Sequence, residues 1–313
     1  MGFHIAAPVD GLSALLPGDA TLRCVGDVRW PFIGAEALGA GVIPERAMRK
    51  GFEDVYPGVY VPKGHKPTAR ERAIAAWLWS KRRGVVAGHS AAAMHGVRWV
   101  EGHEPAELIH DNHKSPKKLI VRTEALGAGE SSIVGDVSVT SPARTAFDIG
   151  RYTRNRLCAV QRIDAVMNVT GVTVGEIEAV AAAHPGVRGL KRLRAVLRLA
   201  DGGAESPHET AARLALIDAG LPAPTTQYRV FDDHGQFIGR VDMAYEDVRV
   251  AIEYDGEQHW TDPAIRARDI DKGVAYVDAH WHVVRAGSDL LYKRRATYIA
   301  RVETPLRERG LVW

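Results

Sequence analysis

Cysteine is almost absent: Cys24 and Cys158 are the two in 313 residues. Two distant thiols make neither a disulfide framework nor a Cys-based zinc knuckle, and they suit a reducing, cytoplasmic setting. No run of 18 apolar residues occurs, so no membrane span is expected. Met1 to Val9 lacks a basic stretch followed by an apolar one, so no signal peptide is expected either. Strong charge bias is missing as well: the formal net charge is +3, a mild lean toward polyanions that decides little. What is present is ordinary for a water-soluble globular protein, with 46% hydrophobic and 25% charged residues. The length predicts two or three domains, and composition breaks place them at 1–66, 67–203 and 204–313.

The chain is organised around Gly239 to Tyr245 and Arg249 to Trp260. Val241 and Met243 alternate with Asp242 and Ala244, and Val250, Ile252 and Tyr254 alternate with Ala251, Glu253 and Asp255. Alternation of this kind reads as two strands, with Glu253 and Asp255 on one face. Glu246-Asp247-Val248 reads as the turn between them. If Tyr245 pairs with Val250, Asp242 falls opposite Glu253, and three carboxylates converge. Like charges at that spacing repel unless something positive sits among them, and Mg²⁺ or Mn²⁺ is the natural partner for oxygen ligands. The competing reading is a solvated acidic sheet face. Asp is poor in strands and opposed acids destabilise one another, so the pattern favours a metal site at Asp242, Glu253 and Asp255.

These residues resemble the PD-(D/E)XK nuclease superfamily, which has the restriction-endonuclease fold, and within it the very-short-patch-repair branch. The matching parts follow in order: Ser206-Pro207-His208-Glu209-Thr210 opening a helix, Arg240-Val241-Asp242, Ile252-Glu253-Tyr254-Asp255-Gly256 with Gln258-His259-Trp260, then Trp281 to Arg285 and a terminal helix. The resemblance covers about the last third of the chain. It implies a DNA endonuclease leaving 5′-phosphate and 3′-hydroxyl ends. The superfamily has acidic-x-Lys on the second strand, and here Asp255 stands in the lysine's place. The very-short-patch-repair branch also lacks that Lys and carries Asp-Gly followed by His. The general base is therefore open, with Gln258 or His259 available; an imidazole near its ordinary pKa of about 6.5 suits acid or base work. Glu209 stands three residues after Ser206, the spacing of a capping box. Capping is its expected main role, with active-site duty the alternative.

Upstream, Gly34 to Leu38 and Pro44 to Lys50 read as two short helices around a Gly turn. Phe52 to Lys63 reads as a hairpin about Pro57-Gly58. That is a winged helix-turn-helix pattern, with Arg46, Arg49 and Lys50 placed to meet phosphates. It resembles the N-terminal domain of AbiE-type antitoxins, a likeness that continues through Thr68–Arg83, Ser90–Gly96 and Val139–Asp148. The competing reading is a small structural hairpin of helices. Lys63 to Arg98 holds eight Lys/Arg against one acid, Glu71, with Trp77 and Trp79 interleaved. This suits nucleic acid, or equally a core helix with a solvated face. Short apolar pieces from Glu107 to Val139 predict a small sheet. His103, His110 and His113 fit no metal spacing and read as solvated loop histidines. Helices are expected over Ser141–Val169 and Thr173–Ala200, with Asp201 to Glu205 as linker. In the last domain, Asp262 to Val277 predicts a helix carrying Arg268, and Arg285 ends the following strand near the site; both are candidate DNA contacts.

The fold class expected is α/β, α+β overall: a mixed C-terminal sheet flanked by helices behind a winged-helix and helical region. The function expected is a metal-dependent DNA endonuclease. The alternative is a non-enzymatic DNA-binding regulator of antitoxin type with a degenerate nuclease fold. DNA is the expected partner, with a toxin or a repair protein as a further one and no membrane.

Overall fold

Alternating apolar residues form strands and amphipathic stretches form helices in two units, 1–145 and 146–313. The computed structural model describes residues 29–111, 114–255 and 263–313, with backbone alone for 263–269. The chain is an α/β protein, with helices interspersed among three sheets in the described residues. The division falls inside one helix, Pro142–Tyr152. It coincides with neither expected boundary: residues 67–145 belong with the N-terminal unit, and residue 203 lies inside the C-terminal one.

The N-terminal unit begins with β1 (Phe32–Ile33), α1 (Gly34–Gly39), α2 (Glu45–Gly51), β2 (Phe52–Tyr56) and β3 (Val59–Pro62). Gly41 and Gly58 take positive φ, at the turn between the helices and at the hairpin tip. Only glycine enters that region freely, so the punctuation legible in the sequence is the punctuation of the fold. Ile43, Ala47, Met48 and Phe52 pack this piece together. Next come α3 (Ala69–Trp79), β4 (Val85–Val86), α4 (Gly88–Met94), β5 (Ala106–Ile109), β6 (Leu119–Arg122), β7 (Ser131–Val134) and β8 (Val137–Thr140). Thr68 and Glu71 cap α3 reciprocally. The last five strands form one sheet in the order β6-β5-β4-β8-β7. The expected small sheet is thus present, with β4 as a central strand too short to be read from periodicity.

His110 departs from the expectation of a solvated loop residue. It is buried at the end of β5, Nδ1 lies 2.9 Å from Asp111, and its ring tilts against Trp79. His113 lies outside the described residues.

Helix α5 (Pro142–Tyr152) leads to α6 (Arg156–Thr170), α7 (Val174–Ala183) and α8 (Leu190–Leu197). The two long helices expected here are four. Asn155 caps α6 through a bond from the Cys158 amide, Gly171 ends it with positive φ, and Thr173 with Glu176 opens α7 as a capping box. Then follow α9 (Pro207–Asp218), β9 (Thr225–Phe231), β10 (Phe237–Tyr245), a 3-10 turn at Glu246–Val248, β11 (Val250–Tyr254), α10 (Pro263–Asp278), β12 (His282–Ala286), α11 (Ser288–Tyr292) and α12 (Arg295–Glu308).

The C-terminal sheet has the order β12-β11-β10-β9, with β11 parallel to β12 and the other pairs antiparallel. It is covered on both faces. On one, Met243, Tyr245, Val250, Ile252 and Val284 pack on α9, α11 and α12 through Leu216, Leu290 and Tyr298. On the other, Ala244, Ala251 and Val283 meet Tyr276, Ala279 and Trp281.

The expected linker, Asp201 to Glu205, is not a loose tether. Asp164 on α6 is 1% exposed and accepts bonds from the Asp201 amide (2.8 Å), Thr210 Oγ1 (2.9 Å) and Arg213 (2.8 Å). Asp201 in turn accepts from Gly203 N and Thr226 Oγ1. A buried carboxylate shared by α6, the 201–203 turn and α9 ties the helical region into the sheet domain. Among the described residues no single helix is long and apolar enough to cross a membrane.

Candidate functional site

The β10–β11 register is the one that alternation predicted: Tyr245 pairs with Val250, Ala244 with Ala251 and Met243 with Ile252. The next pair in that register is Asp242 with Glu253. There the ladder opens, and the Asp242 carboxylate takes over from the backbone: the Tyr254 amide donates to Oδ2 at 2.6 Å. On the other side of Asp242 the β9 strand is irregular. Gln227 has φ of 50° between Thr226 and Tyr228, both of which pair with β10. Left-handed backbone at a non-glycine residue in a strand is strained, and such strain concentrates at functional sites.

Glu209 joins from α9. Ser206 Oγ accepts from the Glu209 amide at 3.2 Å, so half of the expected capping box forms. The carboxylate does not complete it. Its Oε2 accepts instead from the Glu205 amide (2.8 Å) and from Gln227 Nε2 (3.1 Å). The side chain that spacing assigned mainly to a cap thus turns toward the 205 amide and β9. Burial raises the Glu209 carboxyl above its ordinary value. Asp242 is pushed up to about 7, first by burial and then by the charges of Glu209 and Glu253, against the Tyr254 amide bond and Lys272.

Glu253 carries the positive partners. Lys272 Nζ, from α10, lies 2.8 Å from Glu253 Oε1 and also donates to the Arg240 carbonyl at 3.1 Å. Arg285 Nε, on the neighbouring strand, is 3.6 Å from Glu253 Oε2. Burial works to deprotonate Lys272, but the bond to Glu253 and its charge outweigh that and hold the ammonium above its ordinary pKa. Lys272 reaches the site because β10 has no side chain where it crosses. A Cβ on Gly239 would stand 2.5 Å from Lys272 Cε and 2.7 Å from the Tyr276 hydroxyl. The missing lysine of the second strand therefore has a counterpart that the sequence reading did not find. Its spacing, one turn before Tyr276 on α10, looks like an ordinary solvated helix charge.

The remaining candidates are placed as follows. Asp255 ends β11, where its amide donates to the Ala286 carbonyl. The three-carboxylate cage of Asp242, Glu253 and Asp255 does not form: no group of three His, Cys, Asp or Glu able to hold a metal ion occurs among the described residues. Asp255 lies just past Tyr254, the last β11 residue paired with β12. Gln258 and His259 lie outside the described residues. Arg268 is on α10, its side chain outside the described ones. Arg285, half exposed, stands beside Glu253. In the other unit, Arg46, Arg49 and Lys50 are exposed on α2, with Arg49 bonded to Glu45 at 2.9 Å.

The donor set fits a hard divalent cation. Asp242 and Glu253 are carboxylates at facing positions, and Mg²⁺ is commonly held by one or two carboxylates with waters completing its shell. A carboxyl driven up to about 7 by burial and then by like charges is one that a cation would return to its charged form.

No family model matches the chain, and no solved structure matches it. Among curated proteins it is similar to the uncharacterized protein Rv2248 of Mycobacterium tuberculosis strain H37Rv and to the uncharacterized protein MT2308 of strain CDC 1551. Each is 30% identical over 252 residues, which span 80% of this chain and 91% of the relative. A match of 252 residues is longer than either unit, so it reaches into both. The chain belongs to the family of these two mycobacterial proteins.

Proposed function

We propose that the C-terminal unit is a metal-dependent DNA endonuclease of the PD-(D/E)XK type. The observation that carries this reading is the facing pair Asp242 and Glu253, with a half-buried lysine on the second carboxylate. Asp242 and Glu253 would hold Mg²⁺ or Mn²⁺, which when bound lowers the pKa of a coordinated water and offsets charge on the phosphate. The chain's own residues do the rest. Glu209 and the Tyr254 amide orient the Asp242 side. Lys272, held protonated, serves as a fixed positive charge for a phosphate oxygen rather than as a proton acceptor. The proton of the attacking water then has to leave by another group, and His259 fills that role by residue type. The exposed Arg46, Arg49 and Lys50 would supply affinity for the DNA backbone, with steep salt dependence.

Incubating purified protein with supercoiled plasmid and Mg²⁺ or Mn²⁺ tests the reading. Nicked product with 5′-phosphate ends is expected. Lys272→Ala should lower the turnover rate by about 100-fold with KM changed by less than about threefold, the pattern of an interaction realised in the transition state. A large rise in KM with turnover intact would assign Lys272 to substrate binding instead.

One observation favours a second reading, a DNA-binding regulator of antitoxin type with a silent nuclease fold: the described residues hold no three-residue metal set. Titration calorimetry with Mn²⁺ separates the two. Heat of binding that disappears in Asp242→Asn supports the enzyme; sequence-specific duplex binding with no metal uptake and no nicking supports the regulator.

A further inference from the structure

Beside the carboxylates lies an aromatic cluster that the hydrolytic chemistry does not use. His208, on the first turn of α9, stacks on Tyr254 with ring centroids 4.8 Å apart and planes 6° from parallel. Tyr292, at the end of α11, meets His208 edge-on and bonds its Nδ1 through the phenol oxygen at 2.7 Å. The Tyr254 hydroxyl is tethered to Ser288 Oγ at 2.7 Å. Tyr254 packs its inner side against the sheet core, but His208 is exposed and Tyr292 is 51% exposed. Core packing does not need two exposed rings held in register by hydrogen bonds. The chain then runs directly into Lys293, Arg294 and Arg295, three cations against the one acid of that turn, Asp289. Lys293 and Arg294 both reach Asp289, and Arg295 meets Asp218, which Arg156 also pairs, so cations still outnumber acids next to the rings.

Rings flanked by cations are the elements that bind nucleic-acid strands whose bases are free to stack. In a duplex the base faces are covered by their neighbours, so such a platform discriminates in favour of unpaired nucleotides. The position is also informative. The Tyr254 amide donates to Asp242, and His208 is the neighbour of Glu209, so a base on the rings sets its own backbone beside the carboxylates.

We propose that His208, Tyr254 and Tyr292, flanked by Lys293 to Arg295, form a stacking platform for an unpaired nucleobase, so that single-stranded DNA is the form held at this site. The reaction it serves rests on the nuclease reading, but the binding is tested apart from cleavage. The tethers fix the rings before a base arrives, which reduces the ordering that binding requires.

The test uses full-length Asp242→Asn in chelator, so that no strand is cut, with fluorescence anisotropy on a 12-nucleotide oligo-dT and on a duplex of equal length. Oligo-dT should bind at least about fivefold tighter than duplex. His208→Ala and Tyr292→Ala should each weaken oligo-dT by about 5- to 100-fold, the range for losing one stacked base. Duplex binding should change by less than twofold, and Tyr292→Phe, which keeps the ring, should stay within about threefold of the parent. Photocrosslinking with 5-iodouracil in the oligonucleotide should label His208, Tyr254 or Tyr292. Alanine variants that bind oligo-dT like the parent, or crosslinks that map only outside 206–210, 254 and 288–295, overturn the platform. Duplex bound as tightly as oligo-dT, with wild-type protein still nicking plasmid, overturns the platform alone and leaves the nuclease reading standing. Absence of binding to either DNA overturns the platform, and the nuclease reading falls with it only if wild-type protein with Mg²⁺ or Mn²⁺ also fails to nick plasmid.

Discussion

Asp242→Asn should reduce plasmid nicking by on the order of 1000-fold and, in the same protein, raise the melting temperature of the metal-free form. The two effects have one cause. The Asp242 carboxyl is pushed up to about 7 by burial and by Glu209 and Glu253. Its unfolded value is near 4, so the folded state binds the proton more tightly. The sign follows: the stability associated with this group is fully present below pH 4 and is lost as pH rises through 7. Above pH 7 the folded protein carries a charge it would rather neutralise, at a cost of about 4 kcal/mol if the whole difference counted. Half of that, about 2 kcal/mol, is the expected gain when Asn removes the charge and still accepts the Tyr254 amide. For a unit of this size that is a rise of roughly 4–8 °C. Scanning calorimetry of both proteins in chelator at pH 8 and pH 4.5 checks it: the variant should lead at pH 8, with the gap closing toward pH 4.5. A variant that melts lower than wild type at pH 8 would remove the electrostatic account of the site. Glu253→Gln should lose activity to a similar extent but without the stability gain, because Lys272 and Arg285 already compensate that charge.

The largest loss of stability is expected at Asp164. Its carboxylate holds Arg213, which is 3% exposed, and ties the Asp201 amide and Thr210. Asp164→Ala strands a buried guanidinium, and breaking one side of a buried pair typically destabilises by about 3–5 kcal/mol. Since folded domains have about 5–15 kcal/mol in total, much of the C-terminal unit's margin would go. Urea unfolding followed by tryptophan fluorescence measures it directly. The double variant Asp164→Leu with Arg213→Met should recover more than half of the loss, because two apolar side chains leave no charge unpartnered. Failure of the double variant to recover would mean that the bonds to Asp201 and Thr210, rather than the ion pair, dominate. At Asp164 burial outweighs the attraction of Arg213 and raises the carboxyl to about 6.

Much of this could be read before any coordinates, and the reasons are local. The Tyr245–Val250 register follows from alternation plus a three-residue turn, and both are encoded within twenty residues. Gly41 and Gly58 announce their turns because no other residue takes those angles cheaply. Two residues of the site, Lys272 and Gln227, were hidden for different physical reasons. Lys272 is contributed by a helix, where a cation at that spacing is indistinguishable from a solvated one. Gln227 takes its left-handed backbone directly opposite Asp242, and nothing in its own side chain announces that. Glu209 satisfied a capping pattern that its side chain then declined, since the Glu205 amide was in reach. Arg285 was placed near the site, and there it stands beside Glu253. The stretch before 203 reads as a linker for a related reason. A Gly-rich, acidic stretch looks like a tether, and nothing in the local sequence shows that Asp164, far upstream, is buried against it.

Gly239 carries a lesson about how activity can be lost within a lineage. It has no polar atom of its own in the chemistry, yet a single methyl there would collide with Lys272 and Tyr276. A relative with alanine at this position could keep every acidic residue and still lack the positive charge beside the second carboxylate. Sorting relatives into cutters and silent binders by their acidic residues alone would misfile it. The informative position is the glycine on the neighbouring strand, where inheritance of the site is recorded as the absence of a side chain.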